Sequence, residues 1–325
     1  MAESSSRAAP TQEGARPRES AAPSAQTEID PKVLTEIGNL GFRARIVADS
    51  AVAGLHRSRN RGTSVEFAEH KEYSPGDNLR HLDWRAFARL DRDYVKQFED
   101  ESNLRALAVV DTSGSMGYPR ADQADRLTKL DYATTCAGAL AYVLARQGDA
   151  VGVASYAENL QIQVPARARR GHLQEVLGVL ENLEPKGTTR LTEALDSLAE
   201  GLKRRTIVII FSDLLDGGLE ALKSAARLRA RKHDVLMFHI LDPDEVTFPF
   251  EDSTLFESME DDRTVRIDAR AIREAYLAEM DKFRTRAQQA CRAAQIEYQL
   301  TVTDQPPGQV IAKVLAGRTR MRSTR

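Results

Sequence analysis

The chain has 325 residues, of which 42% are hydrophobic and 29% charged, a globular composition with enough length for about two domains. Its 46 Lys and Arg against 48 Asp and Glu give a net charge of −2, so no overall basicity points to nucleic-acid binding. Two cysteines, Cys136 and Cys291, are too few for a disulfide framework or a thiolate zinc site. Such sparse use of cysteine fits a reducing cytoplasm.

Residues 1–26 form a low-complexity tail rich in Ala, Ser and Pro, without the apolar segment of a secretory signal. This tail can bury too little apolar surface to fold, so we predict that it is disordered. The most apolar later segment, 136–145, is far shorter than the roughly 20 residues that cross a bilayer. We therefore expect a cytoplasmic protein with no membrane span.

Residues 27–100 are predicted to form a small N-terminal domain packed on the core. Apolar residues from Ile29 to Leu40 recur at helical spacing and predict a helix that ends near Gly41. The other features expected in this domain are a polar turn at 58–62, strands at 63–68 and 94–98, and packing contacts from Trp84 and Phe87.

Between residues 101 and 306, apolar strand patterns alternate with helical patterns. The alternation predicts an α/β domain with a doubly wound, mostly parallel sheet. The alternating segment 160–164 predicts one antiparallel edge strand, 247–268 a hairpin around Met259–Arg263, and 307–325 a helix end followed by a basic tail. The other predicted strands are 104–110, 150–155, 206–211, 235–241 and 296–302, and the predicted helices are 128–146, 171–183, 190–204, 217–231 and 269–294.

Oxygen-bearing side chains are concentrated in three loops of the predicted α/β domain. Asp111, Ser113 and Ser115 follow the first strand at alternate positions, Asp213 follows the strand 206–211, and Thr189 lies in a Gly-Thr-Thr loop. In a doubly wound sheet, ligands bind at the carboxyl edge where the strand order reverses. Carboxylates and hydroxyls brought together there suit Mg²⁺ or Mn²⁺. The sequence therefore predicts a divalent-metal site at this edge.

The same residues also have a purely structural interpretation. Ser and Asp are common where a strand ends and a helix is capped, so Asp111 and its neighbours could serve only that purpose. Asp213 could cap the helix that begins near Gly217, and capping is the expected role of Asp131 in Thr128-Lys-Leu-Asp131.

The Asp-x-Ser-x-Ser pattern with a distal Thr and a distal Asp resembles the metal-ion-dependent adhesion site of von Willebrand factor A domains. The resemblance implies that Ser113, Ser115 and Thr189 are direct ligands, with the adjacent Thr188 as the alternative to Thr189. It also implies that the two aspartates hold coordinated waters, or that one of them binds the metal directly.

A second resemblance extends over roughly residues 40–305. The stretch from Tyr73-Ser-Pro-Gly-Asp77 to Asp83-Trp-Arg85, followed by Tyr94–Glu99 and Lys129-Leu-Asp131-Tyr-Ala, is similar to the bacterial domain-of-unknown-function family fifty-eight (DUF58). Members of that family have a von Willebrand A-like core and commonly accompany a MoxR-type AAA+ ATPase. The resemblance therefore implies a Rossmann-type, von Willebrand A-like domain at 101–306 and such an ATPase as partner.

Together these features predict recognition rather than catalysis. We expect a non-enzymatic, metal-dependent protein-interaction module, an adaptor or co-chaperone of a MoxR-type AAA+ ATPase in the assembly or maturation of a client protein. No catalytic residues and no nucleic-acid partner are predicted. The alternative is a metal-dependent hydrolase or phosphatase that uses the same Asp, Ser and Thr cluster, and a third possibility is a structural module whose site stays empty. No P-loop motif is present.

Overall fold

A computed structural model of the chain describes residues 29–60, 71–72, 94–95, 104–119, 126–188, 190–215 and 217–323. The predicted tail 1–26, the predicted strand 63–68 and the expected contacts of Trp84 and Phe87 lie outside these residues. The domain boundaries given above therefore stay predictions.

The strands follow the predicted pattern closely. In chain order they are β1 (Lys71–Glu72), β2 (Tyr94–Val95), β3 (Arg105–Asp111), β4 (Ala150–Tyr156), β5 (Leu160–Arg167), β6 (Ile207–Ser212), β7 (Asp234–Leu241), β8 (Ser253–Glu257), β9 (Thr264–Asp268) and β10 (Glu297–Val302). The antiparallel pair β8–β9 is the predicted hairpin, and β1 pairs with β2 in the same sense.

Helices connect and cover these strands. They are α1 (Pro31–Thr35), α2 (Leu40–Asn60), α3 (Lys129–Arg146), α4 (His172–Glu181), α5 (Leu191–Gly201), α6 (Gly218–Ala230), α7 (Pro243–Thr247), α8 (Ala269–Ala293) and α9 (Pro307–Ser323). A 3₁₀ turn, Gly114–Gly117, follows β3. Thr128 caps α3 by accepting a hydrogen bond from the Asp131 backbone N–H. The Asp131 carboxylate accepts from the Thr128 hydroxyl at 2.7 Å, so Asp131 supports the predicted cap through that hydroxyl.

The main sheet has the order β10–β7–β6–β3–β4–β5. All of its pairs are parallel except β4–β5, so the predicted doubly wound sheet with one antiparallel edge strand is confirmed. From β3 the chain moves outward to β4 and β5, then returns to β6 on the other side of β3. The strand order therefore reverses between β3 and β6, the position where such sheets bind ligands.

The central strands are mostly apolar between their ends because helices cover both faces of the sheet. On one face, Val110, Phe211 and Phe238 belong to an apolar cluster that also includes residues of α2, α3 and α9. On the other face, Val109 and Ile210 pack with residues of α5, α6 and α8. Layers of this kind hold the strand ends, and the residues that follow them, in fixed positions.

The N-terminal helices differ from the prediction. The predicted helix ends near Gly41, but α1 ends at Thr35 and a longer helix begins at Leu40. Asn39 explains the change, because its side-chain oxygen accepts a hydrogen bond from the Phe42 N–H at 2.9 Å and so caps α2. The predicted helix end near Gly41 is therefore wrong. The predicted turn at 58–62 is also wrong over residues 58–60, where α2 continues, and its last two residues lie outside the described residues.

The C-terminal residues contribute to the same layer as α2. In α9, Val310, Ile311 and Val314 are buried, where the sequence predicts a helix end and a basic tail. Within the described ranges, no helix combines the length and the apolar character needed to cross a bilayer.

Candidate metal site at the sheet edge

Asp111, the last residue of β3, is fully buried and held by three neutral donors. Its Oδ1 accepts a hydrogen bond from the Ser113 N–H at 2.9 Å, and its Oδ2 accepts from the hydroxyls of Ser212 at 2.7 Å and Tyr156 at 3.0 Å. Burial, together with the nearby charge of Asp213, raises the pKa of Asp111 to about 7. A cation placed beside this carboxylate would stabilise its ionised form and lower its pKa.

The two predicted serine ligands lie immediately after Asp111. Their hydroxyl oxygens are 3.1 Å apart, on either side of Gly114. A side chain at Gly114 would collide with the backbone of Met259 in the β8–β9 hairpin, so this position requires glycine. The hairpin tip therefore packs directly on the turn that carries Ser115.

Asp213 follows β6 across the reversal point and is also buried. Its Oδ2 accepts a hydrogen bond from the Lys129 ammonium at 2.7 Å, and its Oδ1 accepts from the Leu215 N–H at 3.2 Å. Burial raises the pKa of Asp213, but the charge of Lys129, with a smaller contribution from the Ser115 hydroxyl, outweighs burial and lowers it below its usual range. Asp213 is not the cap of the next helix, whose N-cap is Gly217.

The predicted residues Asp111, Ser113, Ser115 and Asp213 thus form one connected cluster. Thr189 lies outside the described residues and stays a prediction, whereas Thr188 is exposed. The loop residues just before Thr188 are joined to the segment that follows Asp111 by two backbone hydrogen bonds. These run from Lys186 N–H to Thr112 O at 2.7 Å and from Gly114 N–H to Gly187 O at 2.9 Å.

Two charged residues of the cluster, Lys129 and Glu245, are missing from the sequence-based prediction. The Lys129 ammonium donates to Asp213 and also to Glu245 Oε1, at 2.6 Å. Burial raises the pKa of Glu245 above its usual value, and the charge of Lys129 opposes the rise only in part. A second Glu245 oxygen accepts from the Asp242 N–H and completes the capping box of α7.

Both residues carry a signal in the sequence. Lys129 occupies the same helix face as Tyr132, Ala133 and Cys136, all of them buried, so a lysine interrupts an otherwise apolar stripe. Glu245 completes the pattern Asp-Pro-Asp-Glu directly after β7, which is typical of a capping box at a strand end.

The cluster has more negative than positive charge. Three carboxylates, those of Asp111, Asp213 and Glu245, face one ammonium group, that of Lys129, and all four side chains are at least mostly buried. One ammonium group can neutralise the charge of only one carboxylate, and the pKa values of Asp111 and Glu245 are both raised. No group of three or more His, Cys, Asp or Glu in the described ranges has metal-binding geometry, so a cation here would depend on hydroxyl ligands as well.

These residues fit a hard divalent cation. Ser113 and Ser115 would supply hydroxyl oxygens, and Asp111 and Asp213 would supply the negative charge, either directly or through water. The fit is chemical: oxygen donors only, and an excess of buried negative charge that a divalent ion would balance.

A histidine contacts the cluster through the Asp213 backbone. His239 is buried, its Nε2 is hydrogen bonded to the Asp213 carbonyl at 2.9 Å, and its Nδ1 is hydrogen bonded to the Tyr298 hydroxyl at 2.7 Å. Burial lowers the pKa of His239 to about 4. Both ring nitrogens are engaged, so His239 is not placed to take a proton from Ser113.

A cavity of about 760 Å³ opens beside the cluster. Its walls come from the 3₁₀ turn, the start of α3, the loop after α4 and the tip of the hairpin. They include Gly114, Asp131, Pro185, Met259 and Asp262. A segment of another molecule could therefore approach the turn that carries Ser115.

Comparison with known proteins places the chain among uncharacterised relatives. Residues 69–286 match the sequence profile of the family described as "Protein of unknown function DUF58". The uncharacterized protein Rv1480 of Mycobacterium tuberculosis is 29% identical over 223 residues, which cover 68% of each chain. A Mycobacterium bovis protein, Mb1516, is similar to the same extent.

The chain also resembles several solved structures at low sequence identity. BatB from Bacteroides thetaiotaomicron is 18% identical, with a TM-score of 0.43 over 67% of this chain and 99% of that one. A von Willebrand factor type A protein from Catenulispora acidiphila is 12% identical, with a TM-score of 0.38 over 65% of this chain and 41% of that one.

Proposed function

The chain belongs to the family described as Protein of unknown function DUF58, and from this premise we propose that it is a non-enzymatic protein-interaction module that depends on Mg²⁺ or Mn²⁺. The cation would be held by Asp111, Ser113, Ser115 and Asp213, with Thr189 as a further ligand. When bound, it would offer an exchangeable coordination position to a carboxylate of a partner protein.

The observation that carries this proposal is the charge imbalance of the cluster. Asp111 and Asp213 are both buried, and Lys129 pairs with Asp213 and Glu245 but not with Asp111, so Asp111 relies on neutral donors. Uncompensated buried carboxylates are costly, and they are kept where a cation or a ligand balances them. Two hydroxyls at the same point add ligands that suit Mg²⁺.

For the partner we propose a MoxR-type AAA+ ATPase, acting with this protein in the cytoplasm on a client complex. This choice is supported by the resemblance carried by the Pro-Gly-Asp and Asp-Trp-Arg stretch and by Lys129-Leu-Asp131. The cavity beside Gly114 supports a macromolecular partner more generally, because it leaves room for a segment next to the turn of Ser115.

Affinity capture with a purified MoxR-type ATPase from the same genome tests the proposal. Immobilised wild-type protein is expected to retain the ATPase in MgCl₂ or MnCl₂ and to release it in EDTA. The folded Ser113→Ala/Ser115→Ala variant is expected to retain little in either buffer, because it lacks both hydroxyl ligands.

A matched control replaces an exposed residue far from the cluster, Arg227→Gln, and should capture the ATPase as the wild type does. If wild type and the double serine variant both retain the ATPase in EDTA as firmly as wild type does in MgCl₂, the metal-bridged mechanism is contradicted. Release of phosphate or peptide products by the purified chain would instead favour the hydrolase alternative.

A further inference from the structure

Lys129 is a fully buried lysine whose ammonium group contacts two carboxylates of the candidate site. It lies 2.7 Å from Asp213 Oδ2 and 2.6 Å from Glu245 Oε1, and its side chain has no exposed surface. A buried lysine with two acidic partners stays charged, because deprotonation of the ammonium would leave the buried carboxylates without a counter-charge.

The position of this ammonium has two consequences for a cation at the site. It donates to Asp213 Oδ2, and Asp213 Oδ1 accepts from the Leu215 N–H, so both oxygens of this carboxylate already have a hydrogen-bond donor. It also places a fixed positive charge beside the carboxylate that a divalent ion would need. Lys129 and the ion therefore compete for Asp213 and repel each other.

We infer that Lys129 is a built-in counter-ion that holds the metal-free cluster together and lowers its affinity for divalent cations. The inference rests on the proposed metal site and concerns its regulation. Lys129 is a positioning residue, because it acts through Asp213.

A weakened site has a functional consequence. A cation that the protein alone binds weakly is bound firmly only when a partner adds another carboxylate. By thermodynamic linkage, the cation then strengthens partner binding by the same factor. Dissociation of the partner protein would therefore weaken metal binding, and loss of the metal would weaken binding of the partner.

The test is a four-protein cycle in which Mn²⁺ binding to the full chain is measured by calorimetry. Removal of the ammonium in Lys129→Met should tighten Mn²⁺ binding by about tenfold or more, as expected for one charge at close range in a polar protein environment. The same variant should unfold at lower temperature in EDTA, because Asp213 and Glu245 lose their counter-charge.

The second comparison in the cycle removes the Lys129 ammonium from a protein that already lacks the Glu245 charge. Glu245→Gln should bind Mn²⁺ more weakly than wild type, and Lys129→Met/Glu245→Gln should bind about tenfold more tightly than Glu245→Gln. This comparison decides the question if the single lysine variant does not fold.

The outcomes separate the inference from the function it rests on. If wild type binds Mn²⁺ and removal of Lys129 leaves the affinity unchanged or weaker in both comparisons, Lys129 is structural only and the inference is wrong. If neither wild type nor any variant binds Mn²⁺, the proposed metal site itself is wrong.

Discussion

Two buried acidic clusters lie side by side at the carboxyl edge of the sheet. The strand-end aspartate Asp242 of one contacts a cation, whereas Asp111 of the other contacts none among the described residues. In the first, both oxygens of the fully buried Asp242 accept hydrogen bonds from the Arg126 guanidinium, at 2.8 and 3.0 Å, and Arg126 also pairs with Asp244. The Thr303 hydroxyl donates to Asp242 as well, at 3.1 Å. Both carboxylates of this cluster therefore have a cationic partner within the protein.

In the second cluster, Asp111 is equally buried but receives hydrogen bonds from neutral groups only. The same fold can evidently supply a guanidinium to a strand-end carboxylate, as it does for Asp242. The lack of such a partner at Asp111, within the described part of the chain, is therefore informative. The Arg126 guanidinium stabilises the fold at Asp242, whereas a buried carboxylate without such a partner can bind a cation from solution.

The largest expected effect comes from unbalancing the first cluster. Arg126→Met should lower the free energy of unfolding by about 3–5 kcal/mol, because it leaves Asp242 buried and unpaired. Urea unfolding at pH 8 measures this loss. A loss below about 1 kcal/mol would mean that water reaches Asp242 and that the two clusters do not differ as described.

The second prediction relieves the imbalance of the other cluster. Asp111→Asn removes one of two close buried charges, and the Ser212 and Tyr156 hydroxyls can rotate to accept from the new amide. In EDTA at pH 8 the variant should be more stable than wild type by about 2 kcal/mol. Chemical unfolding of both proteins in the same buffer checks the sign.

The pH dependence of this difference follows from the raised pKa of Asp111. Between the unfolded pKa near 4 and the folded pKa near 7, the folded state holds more protons, so wild-type stability falls with rising pH. The gain in Asp111→Asn should therefore be small at pH 4 and reach its plateau above pH 7. A gain that does not depend on pH would contradict the charge explanation.

A smaller loss is expected when one neutral donor of Asp111 is removed. Ser212→Ala deletes the hydroxyl that lies 2.7 Å from Asp111 Oδ2. In EDTA at pH 8 this should cost about 1–2 kcal/mol, as expected for a hydrogen bond to a buried charge. The same substitution in the Asp111→Asn background should cost less, and an equal cost in both backgrounds would argue against the contact.

The smallest effect serves as the reference for both clusters. Arg227 pairs with Asp196 at 2.7 Å on the surface, where its side chain is 66% exposed. Arg227→Gln should change the unfolding free energy by less than about 0.5 kcal/mol, because exposed ion pairs contribute little. A larger effect would show that ion-pair geometry alone, without burial, accounts for the loss in Arg126→Met.

The fold was largely predictable because its signals are local. Each central strand is a continuous apolar run bounded by polar residues, and a helical pattern separates one run from the next. The end of the first helix was not predictable in the same way. Gly41 is a typical stop signal, but Asn39 two residues earlier caps a longer helix that begins at Leu40.

The candidate site was predictable only where its residues follow strand ends. Asp111 and Asp213 come directly after apolar runs, and the alternating serines mark the turn between β3 and α3. Lys129 and Glu245 are distant in sequence from both aspartates, so their contacts depend on how α3 and α7 pack over the sheet edge. Tertiary packing thus determines the charge balance, which no single motif encodes.

The most direct test of the account follows thermal unfolding while Mg²⁺ is added, in wild type, Asp111→Asn and the Ser113→Ala/Ser115→Ala variant. A ligand that binds only the folded state raises its stability with concentration, by about 2.7 kcal/mol at a hundred times Kd. The account predicts a rising midpoint for wild type and a flat one for both variants. An equal rise in all three proteins would place any bound metal elsewhere and contradict the assignment of the site.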